Sequence, residues 1–295
     1  MNKTLSLSIT DDGFEYLLFE EGSGSQIIMS NQLRYQQPPA PDLLFSDGQF
    51  DHIMSKLNEA IGSDFDDIVI VIPFNRATVK KIILPAESPK DQKRNLIKSE
   101  LGTILPKPIT NYKISILSIR NVSDISDIAT VVALDKQLIK SLTDFASNLG
   151  KPLKGIFLDC FSLENILGKW KSVNQNTMIS KITANYIEQH IYTGMDYYLS
   201  YLDYIPRDDR AHTEIIAELI NGRYKQSINI LKQTGDSSFD QMQVYIYGTE
   251  ITNELMADVQ KHLSAELILP EVDELTKIVS DNKTYNFIEA YGALL

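Results

Sequence analysis

The chain has 295 residues, 43% of them hydrophobic, and 28 Lys+Arg against 39 Asp+Glu give a net charge of −11. That length holds two domains or one duplicated domain, and the acidic balance excludes nonspecific binding to nucleic-acid phosphates or to an anionic lipid surface. Cys160 is the only cysteine, so no intrachain disulfide can form, and no apolar run approaches the roughly 20 residues of a membrane span.

The first residues alternate polar and apolar through Leu5, Leu7 and Ile9. This is a strand pattern, not the continuous apolar core of a signal peptide, and it fits a reducing, cytoplasmic setting. Asp11-Asp12-Gly13 is a hairpin turn, followed by strands at 14–19 and 26–30 and a proline-rich loop at 38–41. Residues 51–61 have helical spacing with Gly62 as the stop, and 67–73 form an apolar run expected of a strand buried on both faces.

Residues 74–136 read as an inserted β-α-β-β unit. It has a strand at 79–84, a helix capped by Ser88 with Pro89 in its first position, and strands at 112–119 and 125–134. Leu96, Ile97, Leu101 and Ile104 form the expected buried stripe of that helix. Beyond the insert come a helix at 136–149 capped by Asp135, a strand at 155–159 and a helix at 161–170. A polar linker at 173–177 separates the halves. The second half repeats the first without the insert: strand material at 178–192, a strand at 197–204, a long helix at 212–232, a buried strand at 244–247, a helix at 253–263 with Thr252 as cap, a strand at 266–269 and a last helix at 285–294. Val244–Tyr247 reads as the counterpart of Val69–Ile72. The expected organisation is 1–73 with 137–172 as one half, 74–136 as the insert and 173–295 as the other half. This is a duplicated actin-like (RNase H-like) two-domain α/β fold.

Several segments, in order, resemble the PilM-type pilus assembly proteins, relatives of the cell-division protein FtsA, and more distantly the cytoplasmic part of the type II secretion GspL proteins. Ile83-Leu84-Pro85, the helix around Glu100 and Leu105-Pro106-Lys107-Pro108 match the inserted domain. Leu158-Asp159 with Phe161-Ser162-Leu163 matches the crossover. Residues 214–226 with Tyr224, 244–248, and the ending Ala290-Tyr291-Gly292-Ala293-Leu294-Leu295 match the second half. The resemblance implies an ATP-binding scaffold beneath the inner membrane. It would dock the tail of a membrane-anchored, PilN-like partner in a groove beside the insert and work near an assembly ATPase, with no membrane insertion of its own.

Nucleotide binding in that superfamily uses three glycine-bearing turns, because a Cβ would obstruct the approach of phosphate to backbone N–H groups. Here the turns carry Asp11 and Gly13, then Thr183, then Gly248 and Thr249. Asp12 and Glu15 would repel phosphate at the first. The second has no glycine and reads as plain strand at 182–186. The third keeps one glycine, at a strand-to-helix bend. The four histidines have no metal-binding spacing and read as exposed or satisfied, and Cys160 reads as core. The expectation is a scaffold with no catalytic residue, no metal and no cofactor, its degenerate cleft stabilised by side chains. The alternatives are an ATP-binding FtsA-like or kinase-like protein with diverged loops, and a cytoskeletal polymer.

Overall fold

The computed structural model describes residues 2–10, 13–22, 26–35, 45–170, 176–194, 196–206, 212–233, 241–248, 251–270 and 287–295. Its frame is two five-stranded mixed sheets of the same plan. In the first, β1 (Asn2–Ile9), β2 (Gly13–Glu21), β3 (Gln26–Arg34), β4 (Asp67–Ile72) and β8 (Leu153–Leu158) lie in the order β3-β2-β1-β4-β8. In the second, β9 (Thr177–Ile182), β10 (Tyr186–Thr193), β11 (Asp196–Tyr204), β12 (Gln243–Gly248) and β13 (Leu267–Ile268) lie in the order β11-β10-β9-β12-β13. Each sheet begins as an antiparallel meander and then adds parallel strands.

Strand period explains which faces are covered. Leu5, Leu7 and Ile9 are buried in the core of the first half, and Ser6 and Ser8, on the opposite face of β1, are buried as well. That second face is covered by a short helix, α7 (Ile288–Gly292), near the end of the chain. Ser6 donates to the Ala290 carbonyl at 2.6 Å. Residues 287–295 thus pack into the first half, although sequence order assigns them to the second: Phe287, Ile288, Ala290 and Tyr291 share its core, and Ala293 packs on Val69 and Val71. Gly292 is needed here, because a Cβ would stand 2.0 Å from the Ser162 carbonyl oxygen on α4 (Asp159–Trp170).

The remaining helices are α1 (Asp47–Ala60), α2 (Lys90–Ile104), α3 (Lys136–Asn148), α5 (His212–Gln233) and α6 (Asn253–His262). Asp135 caps α3 by accepting from Gln137 N at 2.8 Å, and Thr252 caps α6 by accepting from Leu255 N at 3.1 Å. Between β4 and α3 lies the insert, a three-stranded sheet in the order β5-β7-β6 (β5 Ala77–Pro85, β6 Tyr112–Ser123, β7 Ser126–Asp135) with α2 against it.

Four expectations change. Helix α1 begins four residues before the expected start, at Asp47. Helix α2 begins at Lys90, with Pro89 as the cap residue and no side-chain cap from Ser88. Only Ile97 and Leu101 of its stripe are buried, while Leu96 and Ile104 face solvent, because a lone sheet face covers one narrow strip of the helix. The strand equivalence shifts by one: Thr4 opposes Asp67 and Thr177 opposes Gln243, so Ile68–Val71 is the counterpart of Val244–Tyr247, and Ile72 of Gly248. The loop at 38–41, most of the linker at 173–177 and the start of the last helix at 285 lie outside the described residues.

Candidate functional site

The stretch 182–186 is a hairpin turn rather than plain strand, built like the turn at 10–13. In each, the threonine N–H donates to the carbonyl three residues on, Thr10 to Gly13 at 2.9 Å and Thr183 to Tyr186 at 3.0 Å. The Thr183 hydroxyl closes its turn without a glycine, accepting from Asn185 N at 3.4 Å and Tyr186 N at 3.2 Å. Gly13 serves close packing, since a Cβ there would meet the Leu33 carbonyl oxygen at 2.2 Å. Gly248 adopts φ +128° and passes Ile182 so closely that a Cβ would lie 2.1 Å from its carbonyl oxygen. Of the five candidate residues, Asp11 and Thr249 lie outside the described residues. Gly13, Thr183 and Gly248 are each accounted for by backbone packing.

What joins the halves is a buried ionic cluster that the candidate residues do not include. Ser8 and Lys181 stand at equivalent places, each two residues before its turn threonine, and both hold the carboxylate of Glu289 on α7. Ser8 Oγ donates to Oε2 at 2.7 Å, Lys181 Nζ pairs with Oε1 at 2.6 Å, and Tyr247 Oη donates to Oε1 at 2.6 Å. Burial alone would push Glu289 up, but Lys181, Tyr247 and Ser8 hold its pKa below the ordinary glutamate value. Burial likewise works against the Lys181 charge, and Glu289, Glu188 and Asp159 keep it protonated.

Beside this pair stand Asp159, Glu188 and His190, all fully buried. Asp159 Oδ1 accepts from Phe74 N at 2.9 Å and Cys160 N at 2.6 Å. Burial and then the Glu289 charge push its pKa up to about 7. Glu188 is raised well above its ordinary value by burial and then by Asp159. Burial lowers His190 to about 3, so the ring is neutral. Its Nδ1 lies 2.7 Å from Ser200 Oγ, and its Nε2 has no partner, so His190 is neither exposed nor fully satisfied. His52 and His262 are exposed, and Cys160 is core. A signal for the cluster does exist in the sequence: Lys181, Glu188 and Glu289 are charges set inside apolar runs. This carboxylate-rich centre, with the second turn's N–H groups committed to Thr183, does not fit the phosphates of a nucleotide.

A second feature is a groove of about 620 Å³ between the insert and the first sheet. Its walls are β8 and β6, each the last strand of its sheet, with Ile139, Thr143 and Ser147 of α3 along one side. Leu117, Val132, Leu134 and Phe157 supply apolar lining, and Lys113, Lys151 and Lys154 supply positive charge.

No family model matches the sequence, and no curated protein matches it. Solved structures do. A PilM–PilN type IV pilus biogenesis complex matches with a TM-score of 0.72 at 12% identity, over 99% of this chain and 97% of the other. The cytoplasmic domain of EpsL, an inner-membrane component of the type II secretion system of Vibrio cholerae, matches with a TM-score of 0.55 at 11% identity, over 99% and 95%. A Bacteroides thetaiotaomicron protein of actin-like ATPase fold matches with a TM-score of 0.54 at 14% identity, over 99% and 95%. From end to end, therefore, this chain has the actin-like fold, in the arrangement also found in PilM and in the cytoplasmic domain of EpsL.

Proposed function

We propose that this protein is a non-catalytic scaffold of a type IV pilus or type II secretion-like assembly. It holds the extended tail of an inner-membrane, PilN-like partner in the groove between β8 and β6, and so sits on the cytoplasmic side of that membrane through its partner. The groove is the observation that carries this reading. An extended peptide laid along either strand edge gains backbone hydrogen bonds, and the apolar lining selects its side chains. A further contact with an assembly ATPase belongs to the same reading. Among the described residues no helix is long and apolar enough to cross a membrane.

A photocrosslinking residue at Thr143, exposed on the groove side of α3, tests the surface in cells. The expected product joins it to the tail of a membrane-anchored assembly protein, while the same probe at Ile125, exposed at the β6–β7 turn, gives none. A product from Ile125 alone, or none from Thr143, would overturn the assignment. The non-catalytic part is tested separately by calorimetry with Mg–ATP, where no micromolar binding is expected. Gly248→Val is a poor control for that titration, because the added carbons collide with Ile182.

A further inference from the structure

The buried cluster carries an inference independent of the groove. Asp159 Oδ2, both carboxylate oxygens of Glu188 and His190 Nε2 are buried without a hydrogen-bond partner. One donor atom from each of these three residues lies within 4.8 Å of the other two. Four unpartnered polar atoms converging in one dry place is costly, since each has left water without replacement. The charges are also unbalanced. The ionised carboxylates of Asp159, Glu188 and Glu289 outnumber the Lys181 ammonium by two, with all four side chains buried.

We propose that Asp159, Glu188 and His190 form a structural site for a first-row divalent cation, with zinc as the ion best suited to it. A single dication cancels the two surplus negative charges and supplies a partner to all four orphaned atoms. Two carboxylates and a neutral imidazole suit zinc better than magnesium or calcium, which favour oxygen ligands and larger hydrated shells. Burial keeps the imidazole free of its second proton, as a ligand must be. Ser200 at Nδ1 fixes the ring so that Nε2 faces the carboxylates. The backbone N–H groups of Phe74 and Cys160 hold Asp159 Oδ1 and leave Oδ2 for the metal. Tetrahedral zinc places donor atoms about 3.3 Å apart, so the side chains close by about 1 Å on the ion. The site takes part in no reaction. It would lock β8 and α4 of one half to β10 of the other.

The competing arrangement is a pair of protons on Asp159 and Glu188, and one set of measurements separates the two. Tag-free protein is purified without added metal and analysed by elemental mass spectrometry, with about one zinc per chain expected. After removal of metal by a chelator, added Zn²⁺ at about 100 times its dissociation constant should raise the Tm by about 5 °C or more. Co²⁺ as a probe should give the visible absorption of a four-coordinate site. His190→Gln, confirmed folded by circular dichroism, should weaken binding by about 100-fold or more. If that variant does not fold, the wild-type Tm response to Zn²⁺ alone decides. A Tm indifferent to Zn²⁺, or unchanged binding in folded His190→Gln, would overturn the site in favour of the shared protons.

Discussion

Ser8 and Lys181 hold the same carboxylate from equivalent places in the two halves, one with a neutral hydroxyl and the other with a charge. The cross-strand neighbours keep the equivalence: Ser8 pairs with Glu15 and Lys181 with Glu188. Beyond that the halves diverge. Glu15 reaches Gln32 at 3.1 Å near the sheet edge, whereas Glu188 faces inward among other ionisable groups. Duplication therefore preserved backbone turns and strand register, while the chemistry at matched positions drifted to fit one shared partner, Glu289. The first half adds the insert, and the insert reaches back to the second half: Arg120 on β6 pairs with Asp196 on β11, and Lys81 lies 4.5 Å from the centre of the Tyr198 ring.

The largest effect should come from removing the charge on the second side. Lys181→Met leaves buried carboxylates without their cation and should cost about 3–5 kcal/mol in urea unfolding. Ser8→Ala removes one hydrogen bond to the same carboxylate and should cost about 1.5–3 kcal/mol. Equal losses would break the claim that the two sides grip unequally. A smaller, pH-dependent effect belongs to Glu164, whose pKa burial and Asp196 raise from 4.5 to about 7. A raised carboxyl favours the folded state fully below its unfolded pKa, and that contribution is lost as pH rises through about 7. Glu164→Gln should flatten the fall in stability between those values, seen as Tm against pH, and a slope unchanged from wild type would remove Glu164 from the account. Smallest is Arg120→Ala. Both partners of its ion pair are more than a third exposed, so the change should stay below about 0.5 kcal/mol by the same unfolding measurement. A larger loss would mean that the insert is tied to the second half more tightly than its contacts suggest.

The order of elements was legible because strand and helix periods differ and because the turns and caps used familiar chemistry. Asp135 and Thr252 cap the helices they were expected to cap. The hairpin at Thr183 was hidden because its turn is closed by a hydroxyl where a glycine was sought. The ionic cluster was hidden for another reason. Its members come from β8–α4, β9, β10 and the last helix, and nothing local in the sequence announces that distant charges will meet. The exposed Leu96 and Ile104 show the limit of periodicity, which finds an apolar stripe without saying how wide a surface will cover it.

The bond from Ser6 to the Ala290 carbonyl spans 284 residues of chain. Contacts of such sequence separation form late, because the loop they close must first lose its freedom. The first half can build its β-meander early in synthesis, but one face of β1 must wait uncovered for α7. Until residue 293 has been made, that face is a sticky, incomplete surface of the kind chaperones recognise. Maturation of this protein is thus timed by its last helix, and a chain shortened by a few residues at that end would be a folding intermediate rather than a smaller scaffold.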